Sequence, residues 1–247
     1  MTGSLYNSEF YTSHVEGSRR SAAIVLELLF NAFYRPSSIV DFGCGTGSWL
    51  SAARRLGIHD TLGLEGPWIE SVAKEPDINI NVANIAEPID CGRRFDLAIC
   101  LEVAEHLPSS SAEILVKNLC DAAPVVLFSA AIPNQGGTGH INEQWPSYWA
   151  HLFGAHGYKY VDGLRPMIWT DTRIETWYRQ NILLFVHPTA TIRAHSSHGG
   201  PLDIAHPDIL AHAVAFATPA PRTFRNILQA IPGVSRARRT IRKVVGL

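Results

Sequence analysis

Apolar positions along the chain gather into short runs near 39–42, 61–65, 78–82, 95–101, 125–129, 158–162 and 181–186. Up to Phe128 these runs alternate with segments of helical spacing, and a helix over 18–34 with an apolar face precedes them. The runs ending at Leu101 and Ala130 are apolar on consecutive positions, the pattern of strands covered on both faces. Strand–helix alternation of this kind predicts an α/β fold with a doubly wound, seven-stranded, mostly parallel sheet. Its ligands belong at the carboxyl ends of the strands.

One turn in this pattern carries specific chemistry. The strand Ile39-Val40-Asp41-Phe42 runs into Gly43-Cys44-Gly45-Thr46-Gly47-Ser48, and helical spacing resumes from Trp49 to Leu56. Glycines at alternate positions allow positive φ and let a ligand approach bare backbone, while the helix start turns its amides toward that ligand. Glu65 closes the next apolar run, where an acid can bind both hydroxyls of a ribose. The spacing is G-x-G-x-G, with Ser48 where a dinucleotide site has its third glycine. No Gly-Lys-Ser/Thr follows, which excludes a Walker loop. A nucleoside-bearing cofactor is the expectation.

The D-x-G-x-G-x-G turn with Glu65, the pair Asn84-Ile85 after the third strand, and the stretch Phe95-Asp96-Leu97 through Leu101-Glu102-Val103-Ala104-Glu105-His106-Leu107 resemble class I S-adenosylmethionine-dependent methyltransferases. The resemblance implies that the last strand enters antiparallel. It also implies that Asp41, Gly43, Cys44, Gly45, Trp49, Glu65, Gly66, Asn84, Ile85, Leu101 and Glu102 hold S-adenosylmethionine, with S-adenosylhomocysteine as product. Aspartate is commoner at positions 65 and 84, but glutamate keeps the charge and asparagine keeps an amide oxygen for adenine. Ser18 to Ala22, LEVAEHLP, FSAAIPNQGGTGHINEQWPSYW and WYRQNILLF are similar to a bacterial group of methyltransferases of glycan and secondary-metabolite biosynthesis. That wider similarity, over roughly residues 5 to 187, implies O-methylation of a sugar hydroxyl.

Substrate chemistry is expected in Ala130 to Trp149, which follows the fifth strand. A long loop with this many amide, carboxylate and aromatic groups suits a sugar, with its apolar faces and hydroxyl rim. An alcohol is a weak nucleophile, so a positioned base helps, and histidine is the usual choice. His140 is favoured as base ahead of His106, with Glu143 orienting the imidazole or contacting substrate. Tyr11, Arg19, Gln135, Asn142, Gln144, Trp145, Trp149 and Tyr178 are the candidate acceptor-binding residues. Among the 11 histidines, His14, His59, His151, His156 and those at 187–212 read as surface or packing residues. Glu102, Glu105, His106 and Glu143 could contribute to a magnesium site, yet nothing in their spacing demands one, and no metal is predicted.

Length and charge complete the outline. The 247 residues, 46 % apolar and 17 % charged, suit one catalytic domain over 1–186, an irregular linker or flap over 187–221 and a basic amphipathic segment over 222–247. No apolar run approaches the roughly 18 residues of a membrane span, and the polar start lacks a leader pattern. Cys44, Cys91, Cys100 and Cys120 form no C-x-x-C pair, so reduced thiols in a cytoplasmic protein are expected and a zinc site is not. Residues 222–247 carry seven basic residues and no acid, leaving 14 of the 21 basic residues against all 22 acidic ones, about −8 for the body. That end can dock on a subunit of the same or another protein, or lie on an anionic membrane. The acidic body opposes a broad nucleic-acid surface. The leading expectation is therefore a carbohydrate O-methyltransferase, able to form a homo-oligomer. Its rivals are methylation of an amine or carboxylate of another metabolite, and a nucleic-acid-binding module using the tail.

Overall fold

The computed structural model describes residues 8–193 and 201–211. Helix α1 (Ser8–Ala32) leads into β1 (Ser38–Phe42), α2 (Ser48–Arg55), β2 (Asp60–Glu65), β3 (Ile80–Val82) and β4 (Leu97–Leu101). Then come α3 (Ala112–Ala122), β5 (Val125–Ser129), α4 (Pro146–Ala155), β6 (Lys159–Val161), α5 (Leu164–Ile168), α6 (Thr176–Asn181) and β7 (Leu183–Val186). The strands form one sheet of order β3-β2-β1-β4-β5-β7-β6. All neighbours are parallel except β7, which pairs antiparallel with β5 and β6. The seven apolar runs thus become the seven strands, and the reversed last strand is the one the resemblance implied.

The central strands are apolar on consecutive positions because helices cover both faces. Every residue of β1, β4 and β5 is buried. Successive side chains serve opposite layers: Ile39, Leu97, Ile99 and Leu127 pack with Leu26, Leu29 and Phe30 of α1. Val40, Phe42, Ala98 and Phe128 pack with Leu115 and Leu119 of α3 and Phe153 of α4 on the other side. Strand order reverses between β1 and β4, and a crevice at such a reversal, beyond the strand carboxyl ends, is where ligands bind.

The structure extends two expectations. The first helix begins at Ser8, so the helical spacing read over 18–34 is the later part of an N-terminal helical cover expected over about 5–34. Within the expected linker or flap, the stretch 201–211 is tied to the body. Arg179 Nη2 donates to Asp208 Oδ2 at 2.9 Å, Gln180 Nε2 donates to the Ile204 carbonyl at 2.8 Å, and the His206 amide donates to Gln180 Oε1. His206 is buried there, a packing residue. The basic segment 222–247 lies outside the described residues.

Candidate active site

At the end of β1 the chain makes the glycine turn in the geometry its sequence requires. Gly43, Gly45 and Gly47 have φ of +77°, +55° and +96°, values that cost side-chain-bearing residues about 1–2 kcal/mol each. A methyl group on Gly43 would meet Val103 Cγ2 at 2.5 Å, whereas one on Gly45 would meet nothing within 4 Å. Gly45 is therefore the bare, open part of the turn. Its amide donates to Glu65 Oε2 at 2.8 Å, and Glu65 Oε1 accepts from the Gly66 amide at 2.7 Å and Trp68 Nε1 at 3.0 Å. Burial raises the Glu65 pKa despite those donors.

Asp41 is buried with no donor to its Oδ2. Burial first and Glu65 second push its pKa well up. Such an orphaned acceptor calls for a cationic or hydrogen-bonding ligand group. Ile85 is buried while Asn84 is exposed, its Oδ1 accepting the Ala86 amide at 3.2 Å. Cys44 packs its sulfur into the space a side chain on Gly63 would fill, and burial raises its pKa, so it serves as spacer. The open Gly45, the Glu65 carboxylate and the unsatisfied Asp41 fit a nucleoside that carries an ammonium group, as S-adenosylmethionine does.

Beyond β4, Glu102 adopts φ +55°, strain of the kind that collects at functional sites. Its amide donates to the Ser129 hydroxyl at 3.1 Å. Its carboxylate accepts from Asn181 Nδ2 at 3.1 and 3.3 Å and from Gln135 Nε2 at 3.4 Å. Asn181 Nδ2 also donates to Gln135 Oε1 at 3.0 Å, so β4, the 131–145 loop and α6 meet at one carboxylate. Val103, under Gly43, joins this cluster to the cofactor turn. Glu105 is fully buried, its Oε1 accepting the Ala131 amide at 3.2 Å and its carbonyl accepting the Ile141 and Asn142 amides. Burial raises the pKa of both Glu102 and Glu105, and for Glu105 the Glu102 carboxylate adds to it.

The segment after β4 and the loop bring two imidazoles together beside Glu105. His106 and His140 meet edge to face with ring centroids 4.8 Å apart. His140 Nδ1 lies 3.0 Å from Glu143 Oε1, and the same carboxylate accepts the Asn134 and Gly136 amides at 2.7 and 2.9 Å. Gly137 makes room for the His140 ring, since a methyl there would come within 2.3 Å of it. Burial and then the His140 ring bring the His106 pKa down to about 4.

Other expected residues divide into two groups. Gln135, Asn142, Gln144 and the exposed Trp145 belong to the loop, where Gln144 Nε2 donates to Asn142 Oδ1 at 3.1 Å. Three expected acceptor-binding side chains are engaged in contacts within the protein. Trp149 is core, packed on Phe128 at 5.1 Å, because its position on α4 faces the sheet. Tyr178 is buried against Trp49, with its hydroxyl in hydrogen-bond contact with Ser18 and Trp49 Nε1, and Trp49 shares that interior position. Arg19 ion-pairs with the buried Glu75. Tyr11 lies on the part of α1 whose side chains fall outside the described residues. Leu101 is buried as the last residue of β4. Ser129 and Trp68 gained roles that apolar patterning alone did not signal.

A reversed last strand and a glycine turn at the switch point of a seven-stranded sheet define the class I methyltransferase fold. The fold is shared with DesVI of Streptomyces venezuelae (TM-score 0.55, 15 % identity, covering 72 % of this chain and 95 % of that one). It is shared also with the sugar N-methyltransferase KedS8 of a Streptoalloteichus species (TM-score 0.52, 15 % identity, 74 % and 93 % covered). The chain belongs to the family described as methyltransferase domain, whose model matches residues 11–162. Curated relatives include the ribosomal protein L11 methyltransferase of Pseudomonas putida, 29 % identical over 113 residues, 44 % of this chain. The chain spans about a third of that relative's length (34 %). Among the described residues, no helix is long and apolar enough to cross a membrane.

Proposed function

We propose that the protein methylates a hydroxyl of a sugar or glycoside, with His140 as the proton acceptor. S-adenosylmethionine, when bound, supplies a methyl group on a sulfonium centre. The His140 imidazole would take the hydroxyl proton as the methyl group passed to the acceptor oxygen, the electron pair of the broken C–S bond staying on sulfur. What the chain itself contributes is placement: Asp41, Gly45 and Glu65 hold the donor, and the loop above Glu102 receives the acceptor. The observation that carries the reading is the His140–Glu143 pair at 3.0 Å, a base held by a carboxylate in a loop joined to the cofactor turn through Glu105, Glu102 and Val103. Amides at Gln135, Asn142 and Gln144 and the half-exposed indole of Trp145 supply the polar rim and flat face that a sugar needs.

The test is methyl transfer from labelled S-adenosylmethionine to a panel of sugars, glycosides, amino sugars, carboxylates and ribosomal protein L11. Sugar hydroxyls are expected to be labelled, and His140→Ala is expected to lower kcat about 100-fold with cofactor affinity unchanged. Labelling only of amines, carboxylates or the protein overturns the acceptor assignment. Unchanged turnover in His140→Ala overturns the base.

A further inference from the structure

We propose that Glu105, His106 and His140 form a binding site for a divalent transition-metal cation that takes two neighbouring hydroxyls of the acceptor. Each of the three residues offers a ligand atom, and these atoms all lie within 4.8 Å of one another. Bonds of about 2.1 Å to adjacent ligands bring donor atoms to roughly 3 Å of each other, so closure on a cation takes about 1 Å per side chain. The residues come from two segments that are already pinned together, since the Glu105 carbonyl accepts the Ile141 and Asn142 amides at 2.8 and 3.0 Å.

A second, independent observation points to a cation. Glu105 is completely buried, and its Oε2 has no hydrogen-bond donor. A carboxylate in that position lacks the compensation that buried charge requires, and a metal ion supplies it. The outer partners match as well. Metal-bound imidazoles as a rule donate their second N–H to a carboxylate or a carbonyl. His140 Nδ1 has Glu143 Oε1 at 3.0 Å, and His106 Nδ1 has the Gly139 carbonyl at 3.4 Å.

The donor set also selects the metal. Magnesium favours oxygen ligands, whereas two imidazoles and one carboxylate suit manganese, iron or cobalt and leave open positions on one side. Two of those positions accommodate the reacting hydroxyl and its neighbour, so the acceptor class narrows to vicinal diols. This part rests on the sugar O-methylation reading; cation binding does not. A hydroxyl bound to the cation becomes far more acidic and releases its proton to solvent water. In the cation-loaded protein His140 is therefore a ligand, and direct proton uptake by its ring belongs to the cation-free protein.

The experiment is titration of the full-length, chelator-treated protein with Mn2+ alone, read by the electron paramagnetic resonance signal of free Mn2+. One tight site per chain is expected. His106→Ala and His140→Ala should abolish it, and Glu143→Gln should weaken it 10- to 100-fold. Gly137→Ala, which crowds the His140 ring while leaving all three ligand residues in the sequence, should weaken it too. Retained S-adenosylmethionine affinity in each variant shows that the fold survives. Absence of a tight site in the wild-type protein, or a site indifferent to both histidine changes, overturns the proposal. Methyl transfer to sugars that persists after chelation overturns the catalytic role of the cation while leaving the O-methylation reading standing. Tight Mn2+ binding with no transfer to any hydroxyl acceptor leaves the site standing and overturns the diol.

Discussion

Glu143 Oε1 stands 3.0 Å from His140 Nδ1 while the two oxygens of the same carboxylate accept the Asn134 and Gly136 amides. One side chain thus shapes the loop and sets the tautomer of the imidazole. Asn134 sits at φ +66° and Gly136 at φ +74°, so the turn that Glu143 closes is one the backbone does not hold by preference.

Glu143→Gln should therefore act on rate more than on binding. Glutamine keeps the shape but presents an NH2 group to one of the three donors the carboxylate now satisfies. A fall in kcat of about 10- to 100-fold is expected by analogy with lost outer partners. Steady-state kinetics and calorimetry with S-adenosylmethionine check it, the cofactor Kd moving by less than about 2-fold.

Two glycine substitutions separate stability from cofactor binding. Gly45→Ala adds a methyl into open space at φ +55°, so it should lose only about 1–2 kcal/mol, a few degrees in Tm, yet obstruct the ligand. Gly43→Ala adds the same strain and a clash with Val103. Its Tm should fall further. Thermal unfolding with and without S-adenosylmethionine distinguishes the two, since ligand-induced stabilisation should vanish in Gly45→Ala.

Acid stability carries a signature of His106. Its folded pKa, about 4, lies below the unfolded value of about 6.5, so the unfolded chain binds the extra proton. Stability from this group is complete above the unfolded pKa and is lost as pH falls from there through 4, at up to about 1.4 kcal/mol per pH unit. Buried carboxyls with raised pKa values, Asp41, Glu65, Glu102 and Glu105, have the opposite sign. The clean measurement is the difference between chelator-treated wild type and His106→Gln. Denaturant midpoints of the two should diverge between pH 7 and 4, the wild type losing more.

The attachment of 201–211 depends on Arg179, a buried guanidinium bonded to Asp208 Oδ2, Thr176 Oγ1 and the Ile174 and Trp169 carbonyls. Arg179→Met leaves those acceptors without a donor, which costs about 1–3 kcal/mol. Asp208→Asn removes only a half-exposed partner and should cost under about 1 kcal/mol. Tm measurement on both variants checks the ordering, and hydrogen exchange in 201–211 should rise in the first alone.

Most of the fold was legible because central parallel strands leave a plain trace. Ile39-Val40-Asp41-Phe42 and Leu97 to Leu101 are covered on both faces, so they need apolar side chains at nearly every position, and Asp41 stands out against that background. The cofactor turn was legible because positive φ at alternate residues leaves glycine as the unstrained choice. Trp149 was harder to read. In a loop-to-helix junction an aromatic side chain serves a core or a ligand equally well, and only the rotation of α4 relative to the sheet turns Trp149 inward and Trp145 outward. Tyr178 on α6 and Trp49 on α2 became each other's partners through the packing of their own helices.

The opening motif and the seven apolar runs, taken as sequence, were enough to determine the fold and to point to a nucleoside-bearing cofactor, since local backbone constraints and strand burial act on neighbouring residues. The cluster of Glu102, Glu105, His106, Gln135, His140, Glu143 and Asn181 joins three segments separated by tens of residues. Which of its members touch, which oxygen of Glu105 lacks a donor and how close two imidazoles stand depend on β4, β5 and α6 meeting at one end of the sheet. Only the tertiary structure decided that, because contacts across the sheet follow from packing and from no property of either segment alone.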